Sequence, residues 1–175
     1  MRKKVFLVSA FVISSLVALL SGCYTEPTFD VVPSIEFADI RKQTVLDAID
    51  GQKKDSVILT IKFQDGDGDI GFDSKLDVDA INAASLKGDF HFVVKTFQQR
   101  RGRLVARDDF NFSGFPPRLK NDGKVGPIEG SLDYSMDFPF SFTAKKDSMK
   151  FQVFIKDRAG HVSNTVESKI IVLNE

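Results

Sequence analysis

The sequence predicts an all-β fold: an antiparallel β-sandwich of about seven strands over residues 34–175. Three observations lead there. Several segments alternate apolar and polar residues with period two, which buries one face of a strand and leaves the other in water. The intervals between them hold Gly/Asn/Asp turn clusters rather than long helical repeats. The chain is 42% hydrophobic and 27% charged, a globular balance with enough apolar matter for a core.

Taken in order, the chain begins with Arg2, Lys3 and Lys4, followed by an apolar run from Val5 to Leu20 broken only by serines. Its 16 residues fall short of the roughly 20 that span a bilayer as a helix. A basic start before a short apolar run is the order of a secretory signal. Leu20-Ser21-Gly22-Cys23 then resembles the lipobox of bacterial lipoproteins at all four positions. The resemblance implies cleavage before Cys23, lipidation of its sulfur and acylation of the new amino terminus. Tyr24, where an Asp would favour retention, implies the outer membrane by the sorting rules of such lipoproteins. Two or more acyl chains anchor a protein stably where one does so marginally. The expected organisation is therefore a signal peptide over residues 1–22, a lipid-anchored tether over 23–33 with two prolines, and one domain over 34–175. Loss of the signal removes three cations and leaves a net charge of −3.

The expected strands are 34–38, 56–64, 89–97, 103–112, 127–136, 149–156 and 165–173. The clearest are Val57-Leu59-Ile61-Phe63 and Met149-Phe151-Val153-Ile155, each with polar residues between. Leu132, Tyr134 and Met136 repeat the pattern, and Val166, Ile170 and Val172 are expected inward. Gln98 to Gly102 reads as a hairpin loop, and Asp77 to Leu86 as a short helix. With 17 Phe and no Trp, the core is expected to be Phe-dominated and to take in Phe138, Phe140 and Phe142.

Composition excludes several classes. The whole chain carries 24 Lys+Arg against 24 Asp+Glu, without the basic excess of a nucleic-acid binder. One Cys and two His supply neither an internal disulfide nor a Cys/His zinc site. Gly66, Gly68 and Gly71 match the letters of a dinucleotide fingerprint. Asp65, Asp67 and Asp69 would repel a pyrophosphate there, and no helix is expected to open after Gly71.

The same acidic loop suits a hard cation better. Carboxylates at alternate positions converge where glycines let the chain curl. Ile70 and Leu76 stand where a helix–loop–helix calcium loop requires Gly and Glu, so an irregular Ca²⁺ site is expected instead, built from Asp65, Asp67 and Asp69 and completed by Asp73 or Asp157. The other reading is a solvated turn whose Asp side chains cap local amides. Strand parity places the acidic loop, the 115–126 loop and the Asp157–Asn164 turn at one end with the tether. It places the hairpin bearing Arg100, Arg101, Arg103 and Arg107 at the other, as a candidate surface for an anionic partner.

Two resemblances bear on the class. Asp157-Arg158-Ala159-Gly160-His161-Val162-Ser163-Asn164 resembles the D-x-A-G-N-x-S turn of bacterial immunoglobulin-like domains, with His161 in the Asn position. The order FQDGDGDIGF, IEGSLDY, IKDRAGHVSN is similar to that in uncharacterised lipoproteins of Bacteroidota, across most of residues 34–173. They imply an immunoglobulin-like sandwich and no particular activity. The expected function is a binding or structural module of the cell envelope, monomeric and without nucleic-acid partners, touching an envelope protein or a glycan. The alternative is a carboxylate-based glycan hydrolase or an accessory glycan-binding protein.

Overall fold

The computed structural model describes residues 26–175. The signal peptide, Cys23 and the first residues of the tether lie outside the described residues. Among those described, no helix is long and apolar enough to cross a membrane.

The strands are β1 (Ser34–Leu46), β2 (Lys53–Asp65), β3 (Phe92–Arg100), β4 (Arg103–Ala106), β5 (Ile128–Pro139), β6 (Asp147–Ile155), β7 (Val166–Glu167) and β8 (Ile171–Leu173), with one helix, α1 (Val78–Lys87), between β2 and β3. They form two antiparallel sheets. One has the order β1-β2-β5, the other β4-β3-β6-β7 with β8 also paired to β6. One core lies between them. β2 supplies Val57, Leu59, Ile61 and Phe63, and β5 supplies Leu132, Met136 and Phe138. The opposite sheet supplies Phe92 and Val94 from β3, Met149, Phe151, Val153 and Ile155 from β6, and Leu173 from β8. Phe92 stacks on Tyr134 across the interface at 3.9 Å, and the Tyr134 hydroxyl donates to the Phe112 carbonyl at 2.8 Å, so its polar tip is satisfied.

Four expectations are corrected. The first strand runs to Leu46 rather than Ala38, because the register shifts between Phe37 and Asp39 and so interrupts the alternation that would have revealed it. The 103–112 strand ends at Ala106: Phe110 and Phe112 leave the ladder and pack against Phe138 at 5.4 and 4.6 Å. The last strand is broken. Ser168 Oγ accepts from the Phe151 amide, and the register against β6 moves by one residue between β7 and β8. That slip buries Leu173 and leaves Ile170 46% exposed, reversing the expected faces. Of the three Phe residues expected inside, Phe138 is buried, Phe140 half-buried and Phe142 73% exposed on the β5–β6 turn. The helix matches expectation within a residue; it buries no side chain and stops at Gly88, whose φ of 68° is the left-handed conformation of a helix end.

Candidate functional site

The inward faces of β2 and β6 continue past their apolar residues into buried aspartates at both ends. Along β2 the inward positions read Asp55-Val57-Leu59-Ile61-Phe63-Asp65. Along β6 and one step beyond they read Asp147-Met149-Phe151-Val153-Ile155-Asp157. An inward residue on a strand of period two cannot turn to solvent without breaking the pleat. These four carboxylates must therefore be satisfied inside the protein or carry a cost.

At the end holding the β1–β2 and β5–β6 turns, they are satisfied. Asp55 accepts from the Thr44 hydroxyl at 2.6 Å and the Asn174 amide at 2.7 Å. Both oxygens of Asp147 take the Gln98 amide nitrogen at 2.6 Å. Gln98 Oε1 in turn accepts from Arg100 at 2.6 Å and Arg107 at 3.0 Å. Arg100 and Arg107 are thus structural, and the candidate partner surface shrinks to Arg101 and Arg103, exposed at the β3–β4 turn.

The opposite end differs. One oxygen each of Asp65, Asp69 and Asp157 lie within 4.8 Å of one another, and Asp65 and Asp157 are fully buried. Asp65 Oδ2 accepts from the Asp69 amide at 3.0 Å, and Asp69 Oδ2 from the Ala159 amide at 3.0 Å. Asp157 takes the His161 amide and His161 Nδ1, each at 2.7 Å. Yet Oδ1 of Asp65, of Asp67 and of Asp69 are all buried and have no hydrogen-bond partner. Among the described residues no ion pair involves these three carboxylates, and the nearby Arg158 is turned to Asp77 at 2.7 Å. Burial, then the neighbouring Asp67 charge, pushes the Asp65 carboxyl from 3.8 to about 6. Burial, then Asp157 and Asp67, raises Asp69 as well. The hydrogen bond that His161 donates to the Asp157 carboxylate raises the His161 pKa.

The backbone holds the cluster closed. The Gly66 amide donates to the Asp30 carbonyl at 2.8 Å, so the tether packs on the acidic loop. The Gly126 amide donates to the Asp67 carbonyl at 3.1 Å, and Phe72 exchanges hydrogen bonds with Pro116 and Arg118. The acidic loop, the 115–126 loop and the Asp157–Asn164 turn therefore share an end, as parity requires. Asp67 stands beside the converging trio rather than within it. Asp73 is not part of it either; it caps its own turn through the Lys75 and Leu76 amides. His91 is 7% exposed and packs edge-on to Phe72 at 4.7 Å, and burial lowers its pKa.

Parity alone would have found Asp55 and Asp147: each lies two residues before the first apolar inward position of its strand. Comparison with protein-family models, with curated proteins and with solved structures gave no match to the chain.

Proposed function

We propose that the chain is a lipid-anchored β-sandwich of the cell envelope, a binding or structural module of immunoglobulin-like topology. The strand order supports the topology: β1-β2-β5 facing β4-β3-β6-β7 is the A-B-E against C′-C-F-G arrangement of such sandwiches. The observation that carries the function is the polarity of the molecule. The tether docks on the acidic loop at one end. Arg101 and Arg103, with exposed Leu46, Ile49 and Phe142, lie at the other. The nine residues of β6 separate the two ends by about 30 Å. Phe29 and Asp30 touch the domain and the Glu26 carboxylate lies beside Gly126, so Cys23 stands no farther from Glu26 than the roughly 10 Å that three extended residues span. The module is held close to its bilayer with the arginine hairpin outward, facing an anionic envelope protein or glycan.

The carboxylates weigh against the hydrolase alternative. Of four depressions on the surface of the described residues, none is lined by Asp65, Asp67, Asp69 or Asp157. A glycosidase needs its acid pair facing an open cleft.

Two experiments test this reading. Mass spectrometry of protein from membranes should show an acylated residue 23 as the amino terminus, and Cys23→Ala should stay uncleaved and unlipidated; a free thiol at that position defeats the anchor. For the outward surface, a photocrosslinker at residue 105 in intact envelopes should trap a discrete species. The pair Arg101→Glu and Arg103→Glu should reduce its yield about tenfold. A yield indifferent to charge reversal removes the arginines from the interface.

A further inference from the structure

We propose that Asp65, Asp69 and Asp157, flanked by Asp67, form a calcium site that clamps the acidic loop to the Asp157–Asn164 turn. The convergence of acids alone would not carry this. The second observation is the fully buried Asp65, whose Oδ1 has no partner while its other oxygen is bonded to the Asp69 amide. Two more buried and unpartnered oxygens, on Asp67 and Asp69, sit beside it. Uncompensated carboxylates in such a place cost several kcal/mol each.

The same protein shows what compensation looks like: at the far end of the same two strands Asp55 and Asp147 have both oxygens hydrogen-bonded. At the near end only Asp157 is satisfied in this way, by His161, and among the described residues nothing comparable reaches Oδ1 of Asp65, Asp67 or Asp69. What that end has is an all-oxygen donor set, which selects hard cations. Oxygens on opposite sides of a calcium shell lie about 4.6–5.2 Å apart, against about 4.0–4.2 Å for magnesium. Donor oxygens that all lie within 4.8 Å of one another can share one cation, and calcium's shell is the more permissive of the two in geometry.

The ligands come from two segments far apart in sequence, and the acidic loop also holds the tether through Gly66 and Asp30. Calcium therefore ties three segments together at one end of the sandwich. This inference needs neither the lipid anchor nor the outward surface, so it stands or falls apart from them.

The test is equilibrium dialysis of the full-length chain in detergent against radioactive Ca²⁺, after EDTA treatment and removal. One calcium per chain, displaced weakly by Mg²⁺, is expected. Asp69→Asn should weaken binding at least tenfold, and Asp133→Asn, on the outer face of β5, should leave it unchanged. In the wild type, Ca²⁺ should slow amide hydrogen exchange at residues 66–69 and 159–161, a readout that needs no variant to fold. No saturable binding up to 5 mM (about the weakest range of extracellular calcium modules), binding untouched by Asp69→Asn, or exchange unchanged at both segments overturns the site.

Discussion

Gly71→Ala is expected to destabilise the protein by at least about 3 kcal/mol in urea denaturation, against about 1–2 kcal/mol for Gly160→Ala. Both glycines have positive φ, 88° and 95°, so both substitutions place a side chain in a conformation that L residues rarely adopt. They differ in their surroundings. A Cβ on Gly160 meets nothing within 4 Å, whereas one on Gly71 would stand 2.1 Å from the Pro117 carbonyl oxygen. Flexible side chains yield to such an approach, but this is backbone pinned on both sides. The Phe72 amide donates to Pro116, the Arg118 amide to Phe72 and the Leu119 amide to Ile70. Moving the 115–119 segment away breaks those bonds, each worth about 1 kcal/mol, and uncovers Ile70, which is fully buried. The same shift pulls the acidic loop off its neighbours, so calcium affinity should fall with stability. Equal losses for the two variants would show that the two segments are not closely joined.

Much of this was legible from residue order. The alternation in β2 and β6 is strict, and strict alternation together with reversing strands fixes which loops share an end. That is how Asp157 could be paired with Asp65 across a separation of 92 positions in sequence. Several of the misses come from side-chain hydrogen bonding, which period counting does not see. Ser168 substitutes its hydroxyl into the β6 ladder and shifts everything after it by one residue. At the hairpin, Arg100 looked free because its partner Gln98 is inward on β3, where it bonds Asp147 on the neighbouring strand. The distinction between Asp67 and its neighbours was also invisible. Alternate acidic residues in a glycine loop do not reveal which of them a distant turn will meet.

Asp65→Asn should make the protein more stable at pH 7.5 in EDTA, by up to about 3 kcal/mol, while reducing its affinity for calcium. The sign follows from the raised carboxyl. Folded Asp65 titrates at about 6 against an ordinary 3.8, so between those values the folded state binds the proton more tightly than the unfolded one. The contribution of Asp65 to stability is complete below pH 3.8 and is lost as pH rises through 6; at 1.36 kcal/mol per unit, the loss is about 3 kcal/mol. Asp69 and His161, also raised, act in the same direction. His91, lowered by burial, acts in the opposite one, so the comparison has to be made between wild type and variant across pH rather than on one curve. Asn is nearly the same shape, carries no charge, keeps an oxygen for the Asp69 amide and offers an amide to the oxygens opposite. In EDTA the two melting profiles should therefore converge near pH 4 and separate towards pH 7.5 with the variant higher. Saturating Ca²⁺ should close most of that gap at pH 7.5, because a ligand bound only to the folded state adds about 2.7 kcal/mol at 100 times its dissociation constant. A wild type that outlasts Asp65→Asn in EDTA across the whole range would mean that the buried carboxylate already has its compensation within the chain, and that no cation is needed to hold this end of the sandwich together.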